Sequence, residues 1–159
     1  AFETLLPGTS SSNNLALVGG TFATASQSLQ TADLKTAGAT SNYARASVNL
    51  PASYVTGQTC IVRVWGKMKT TIAGVAATVD IECYRSDDTE GISADLCTTS
   101  ALSINSTSLA SRDFTITPTT FLPGDTLDIR LTVLVNDAAT GTAVIGFVGK
   151  VELLLATKG

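Results

Sequence analysis

Apolar and polar side chains alternate one for one through several long stretches of this chain, and no other feature restricts its fold as much. In YARASVNL, Ala44, Ala46, Val48 and Leu50 fall on one side of an extended backbone, with Tyr43, Arg45, Ser47 and Asn49 on the other. CIVRVWGKMK sets Cys60, Val62, Val64, Gly66 and Met68 against Ile61, Arg63, Trp65, Lys67 and Lys69. ATVDIECYR sets Val79, Ile81 and Cys83 against Asp80, Glu82 and Tyr84, and TLDIRLTVLVND lines up Leu127, Ile129, Leu131, Val133 and Val135. A period of two marks a half-buried strand, because successive side chains leave a pleated backbone on opposite sides; a helix needs apolar residues three and four apart. Shorter strands are expected around LSIN and DFTIT. With about eight strands at short spacing and no helix long enough for a crossover, the expected fold is all-β, an antiparallel β-sandwich or jelly roll.

Composition agrees. Charged residues are 14% and hydrophobic residues 44% of the 159, which disfavours both disorder and a bundle of long helices. A chain of this length can bury a working core without disulfides or metal. The net charge is −3, from 10 basic and 13 acidic residues, and no basic face is visible, so no nucleic-acid partner is expected. No apolar run reaches the roughly 18 residues of a membrane helix, so no membrane partner is expected either. The nearest run, TAVIGFVGKVELLLATKG, is broken by Gly146, Gly149, Lys150 and Glu152. Phe2-Glu3-Thr4 does not read as the start of a secretory signal. Cys60, Cys83 and Cys97 are an odd count without CxxC spacing, as expected for free thiols in a reducing cytosol; a Cys83–Cys97 pair stays open.

Residues 1–20 read as an extended N-terminal arm, anchored by Phe2, Leu5 and Leu6, leading into a first short strand near Leu15, Leu17 and Val18. Residues 21–159 read as a single β-sandwich domain, with a short helix expected over 28–37. The closing segment, LTVLVNDAATGTAVIGFVGKVELLL at 131–155, reads as a hairpin turning at 136–141. Its returning strand barely alternates. Val144, Val148 and Leu154 share a side with only Lys150 and Glu152, so that side is expected to meet another subunit or the folded-back arm.

Catalytic parts are scarce. Without a histidine, a Ser-His-Asp triad and imidazole metal sites are excluded, and no GxSxG elbow, GxxxxGK[ST] loop or GxGxxG fingerprint occurs. Carboxylate pairs such as Asp80 with Glu82, or Asp125 with Asp128, read as solvated strand faces rather than glycosidase centres. Asp80, Glu82, Asp87, Asp88, Glu90 and Asp95 crowd one region, but without the ordered spacing of a calcium loop. The expectation is therefore no enzyme, no cofactor and no metal site. Asn105-Ser106-Thr107 matches a glycosylation acceptor by chance. Trp65, Tyr43 and Tyr84 all lie on polar strand faces and would form one glycan-binding or partner-binding patch if their strands were neighbours.

Three segments together resemble small β proteins of tailed-bacteriophage virions: LPASYVTGQTCIVRVWGKMKT, ATVDIECYRSDD, and TPTTFLPGDTLDIRLTVLVNDAATGTAVIGFVGKVELLL. Their order is similar to that of jelly-roll capsid decoration proteins, over roughly residues 43–159, while the first 42 residues match no family. The resemblance implies a structural protein on the capsid exterior, made in the host bacterial cytoplasm. It would bind the major capsid protein, as a homotrimer, and stabilise the shell. Phe2, Leu5 and Leu6 would then anchor the arm, and Val144, Val148 and Leu154 would line the subunit contact. A tail-tube or fibre-base subunit, or a carbohydrate-binding β-sandwich, are the alternatives.

Overall fold

The structure, a computed structural model, describes residues 13–21, 23–35, 38–73, 76–86, 92–118, 121–137 and 142–158. Among them run nine strands: β1 (Ala16–Gly19), β2 (Gln27–Gln30), β3 (Gly38–Asn49), β4 (Cys60–Met68), β5 (Ala76–Ser86), β6 (Leu102–Ser103), β7 (Ala110–Ile116), β8 (Thr126–Asp137) and β9 (Gly146–Leu154). They form two antiparallel sheets, one of five strands in the order β1-β2-β9-β4-β7 and one of four in the order β3-β8-β5-β6. The fold is the expected all-β sandwich. No helix of the described residues is long and apolar enough to cross a membrane. The arm residues Phe2, Leu5 and Leu6 lie outside the described residues.

Each strongly alternating segment turns its apolar side to the other sheet. Val62, Val64 and Met68 of β4 and Phe114 and Ile116 of β7 meet Val79 and Ile81 of β5 and Leu127 to Val135 of β8 in one core cluster. Burying a side chain of this size stabilises the fold by about 1.5–3 kcal/mol. Tyr54, from the connection between β3 and β4, is also fully buried, and its hydroxyl donates to the Gln58 carbonyl at 2.5 Å. Burial pushes that phenol up to about 12.

Two expectations about local structure are overturned. The segment expected as a short helix over 28–37 instead supplies β2, where Leu29 pairs with Val148 of β9 and is buried beside it. Thr31 and Leu34 continue the attachment, donating their N–H groups to Gly146 and Val144. A free strand edge outweighs a weak local helical tendency. The closing segment is not a hairpin either. β8 pairs along its length with β3 on one side and β5 on the other, so it has no edge left for β9, which crosses to the opposite sheet.

A bulge explains the poor alternation of β9. Its ladder with β4 runs Trp65↔Lys150 and then Gly66↔Val148, leaving Gly149 between them without a partner. One extra residue exchanges the inward and outward faces. Before the bulge Gly146 and Val148 face inward; beyond it Val151, Leu153 and Leu155 pack against the core. Val144 and Val148, expected at a subunit contact, are 2% and 1% exposed in the domain's own core, which corrects that expectation. Leu154 is on the other side of the strand, opposite Ile61. The apolar surplus of β9 comes from two inward registers joined end to end.

A candidate ligand face on the five-stranded sheet

The outer face of the five-stranded sheet is built by the residues that β4 and β9 turn away from the core. Their ladder sets Ile61 opposite Leu154, Arg63 opposite Glu152, Trp65 opposite Lys150 and Lys67 opposite Phe147. β7 extends these rows with Thr115, Asp113 and Ser111, and β2 places Gln30 beside Phe147. The face grades from apolar at one end through a charged row to two aromatic rings at the other.

Around those rings is a hollow of about 590 Å³. Trp65 and Phe147 supply its aromatic surface, Gln27 and Ser28 a polar wall, and Lys67 and Lys150 its charge. Leu109 closes one side by lying over Gly149, where a Cβ on the glycine would sit 3.5 Å from a Leu109 methyl. The bulge residue Gly149 is thus part of the hollow's lining.

Hydrogen bonds hold the rings. The Trp65 indole N–H donates to Glu152 Oε2 at 3.1 Å, and Glu152 Oε1 pairs with Lys150 Nζ at 2.6 Å. Lys150 and then Trp65 hold the Glu152 carboxyl below its ordinary range. Lys67 Nζ stands 5.7 Å from the centre of the Phe147 ring, a cation–π distance. Arg63 grips Asp113 through two parallel bonds of 2.7 Å and closes the charged row. Trp65 is thus tethered through its indole N–H while it lines the hollow.

Trp65, Tyr43 and Tyr84 do not form one patch. β4 belongs to the five-stranded sheet, whereas β3 and β5 belong to the other, so Tyr43 and Tyr84 face the opposite side of the sandwich. There they serve an ion-pair network. Arg130 lies 5.1 Å from the Tyr43 ring centre and pairs with Glu82, and Glu82 accepts from the Tyr84 hydroxyl at 3.2 Å. Arg45 pairs with Asp128 in the same face. Lys67 was legible beside Trp65 on the outward side of β4, but sequence reasoning missed Phe147 and Gln27. Nothing local could have found them, because they meet only through the pairing of β9 with β4 and β2.

The other sequence candidates are occupied by structural work. Asp125 accepts from the Leu122 N–H at 2.9 Å and lies 3.7 Å from Arg85, and Asp95 accepts from the N–H groups of both Cys83 and Cys97 at 3.0 Å. Burial, with Glu82 and Asp95 nearby, raises the Asp80 carboxyl. Asp87, Asp88 and Glu90 lie outside the described residues, and among the described residues no three His, Cys, Asp or Glu groups are gathered to hold a metal ion. Asn105 spends its amide on Ile72, donating to the carbonyl and accepting from the N–H at 2.9 Å each. All three cysteines are free, and burial pushes the Cys83 thiol up to about 12.

No protein-family model matches the sequence, and no curated protein matches it. Among solved structures, the chain is similar to a protein from Bacteroides thetaiotaomicron assigned as sugar binding, at 6% identity and a TM-score of 0.54, over 94% of this chain and 86% of that one. It is also similar to the CBM22-1 xylan-binding domain from Paenibacillus barcinonensis, at 14% identity and a TM-score of 0.49, over 92% and 83%. A third is the C-terminal family 22 carbohydrate binding module from Clostridium thermocellum, at 19% identity and a TM-score of 0.46, over 89% and 80%. At such identities the likeness is one of fold.

Proposed function

We propose that this chain is a non-catalytic glycan-binding module whose ligand face is the outer surface of the five-stranded sheet. The carrying observation is the hollow in which Trp65 and Phe147, on neighbouring strands, turn outward beside the Gln27 and Ser28 side chains. A sugar presents an apolar C–H face and a rim of hydroxyls, and it is recognised by an aromatic platform with a few placed polar groups. The solved structure of sugar-binding assignment shares the fold. The test is binding to a panel of soluble polysaccharides. Trp65→Ala and Phe147→Ala are each expected to weaken binding by about tenfold or more. Tyr43→Ala and Tyr84→Ala, on the opposite face, are expected to leave it unchanged. Equal loss from both pairs would sink the assignment of the face.

A second reading keeps the chain as a virion structural protein on the capsid exterior, bound to the major capsid protein as a homotrimer. The apolar character of β9 no longer argues for it, since the bulge accounts for those residues. What favours it is Leu17, 62% exposed on β1, the edge strand of its sheet. An exposed leucine on an open strand edge suits contact with a neighbouring chain. On this reading the protein sediments as a trimer and Leu17→Asp dissociates it; a monomer at high concentration counts against it.

A further inference from the structure

We infer that the ligand of this hollow is an acidic sugar chain, one carrying carboxylate groups as in a polyuronate. The inference rests on the glycan-binding reading of the same face and adds the charge class of the ligand. The hollow is lined by two ammonium groups, Lys67 and Lys150, and by no carboxylate, in a chain whose net charge is −3. An acidic protein that leaves a cation unmatched beside its aromatic rings selects for an anion there.

The two lysines are not equivalent. Lys67 enters no ion pair among the described residues; its ammonium stands over the Phe147 ring, held in place but not neutralised. Lys150 is paired with Glu152, yet its side chain is 63% exposed and keeps donors free for a second acceptor. Glu152 itself has both oxygens engaged, one by Lys150 and one by the Trp65 indole, so its charge is tied down beside the hollow. The opposite face behaves differently. Its hollow, lined by Arg45, Tyr84, Asp128 and Arg130, matches each guanidinium with a carboxylate, Arg45 with Asp128 and Arg130 with Glu82. Of these two hollows, the one beside Trp65 is the one that keeps a cation without a carboxylate partner among the described residues.

A uronate chain fits these groups. Its ring face stacks on Trp65 or Phe147, its hydroxyls meet Gln27 and Ser28, and its carboxylates make charge-assisted hydrogen bonds with the lysines. A nucleic-acid strand would also stack and carry charge, and oligothymidylate is therefore the competitor in the experiment.

The experiment compares polygalacturonate with the same backbone after full methyl esterification, which removes the charge and keeps the sugar rings. Calorimetry at 20 and 200 mM NaCl is run on the intact chain and on Lys67→Met, Lys150→Gln and Trp65→Ala. The expected result is binding of the acid form, weakened severalfold by salt and by about tenfold in Lys67→Met, with little binding of the ester. If acid and ester bind alike, with Trp65→Ala damaging and Lys67→Met silent, the acidic assignment is overturned while the glycan reading stands. If neither form nor any neutral polysaccharide binds, both fall together. If oligothymidylate displaces polygalacturonate at lower concentration, the ligand is a nucleic acid and the assignment is overturned.

Discussion

The indole of Trp65 is fixed by Glu152, whose Oε2 accepts the ring N–H at 3.1 Å across the β4–β9 ladder. The bond joins a ligand-facing ring to a carboxylate that Lys150 anchors in turn.

Glu152→Ala is expected to free the ring, shift the emission of the only tryptophan and weaken ligand binding by about three- to tenfold. Glu152→Gln, whose amide oxygen can still accept the N–H, restores part of the loss. Folding is little affected, because an exposed pair contributes little to stability. Since Lys150 and Trp65 lower the Glu152 carboxyl, the charge-assisted bond is present at neutral pH and weakens as pH falls through a midpoint below the ordinary 4.5. A fluorescence titration reads this directly, and a midpoint above 4.5 would contradict it.

The two glycines of β9 are expected to respond differently. A Cβ on Gly146 would come within 2.9 Å of Val133 Cγ1, across the core, so Gly146→Ala costs about 1–3 kcal/mol by overpacking. On Gly149 it would make ordinary contacts, with the Leu109 methyls at 3.5 and 3.6 Å and the Trp65 carbonyl at 4.0 Å, and Gly149→Ala is expected to change stability by less than about 1 kcal/mol. Urea unfolding of the two variants checks the inward face and the bulge together.

Asp80 gives a pH dependence of opposite sign to Glu152. Burial first, and then Glu82 and Asp95, raise its carboxyl, so the folded chain holds that proton more tightly than the unfolded one. The ionised group therefore costs stability above the raised folded value, and the cost disappears as pH falls below the unfolded value near 3.8. Asp80→Asn is expected to raise the melting temperature at pH 7 and to converge with the parent at acid pH. A lower melting temperature at pH 7 would reverse the sign.

Val148→Lys separates a core residue from a contact residue. Val148 is 1% exposed, and a lysine there is expected to cost about 3 kcal/mol or more, lowering the denaturation midpoint at any protein concentration. Leu154→Lys, on the outer side beyond the bulge, is expected to fold normally. If Val148→Lys changed only the oligomeric state, the valine would belong to an interface after all.

The alternating segments determined by themselves that strands form at 43–50, 60–68, 79–84 and 127–135, and which residues of each face inward. That much is local, because the pleat alone sends neighbouring side chains to opposite sides. Tertiary structure decided the rest. Whether β8 pairs with β9 depends on β3 and β5 having filled its edges, and no window of sequence contains that competition. The parity of β9 depends on one unpaired glycine, visible only against the ladder of β4. Tyr54, in a stretch that reads as a plain connection, is fully buried in the core cluster. The candidate site followed the same division. Trp65 and Lys67 were legible as outward residues of one strand, but their companions Phe147 and Gln27 come from strands far apart in the chain, and Tyr43 and Tyr84 went to the other face. Outward orientation is written in the period of two, whereas the neighbours on a face are chosen by which edges remain free to pair.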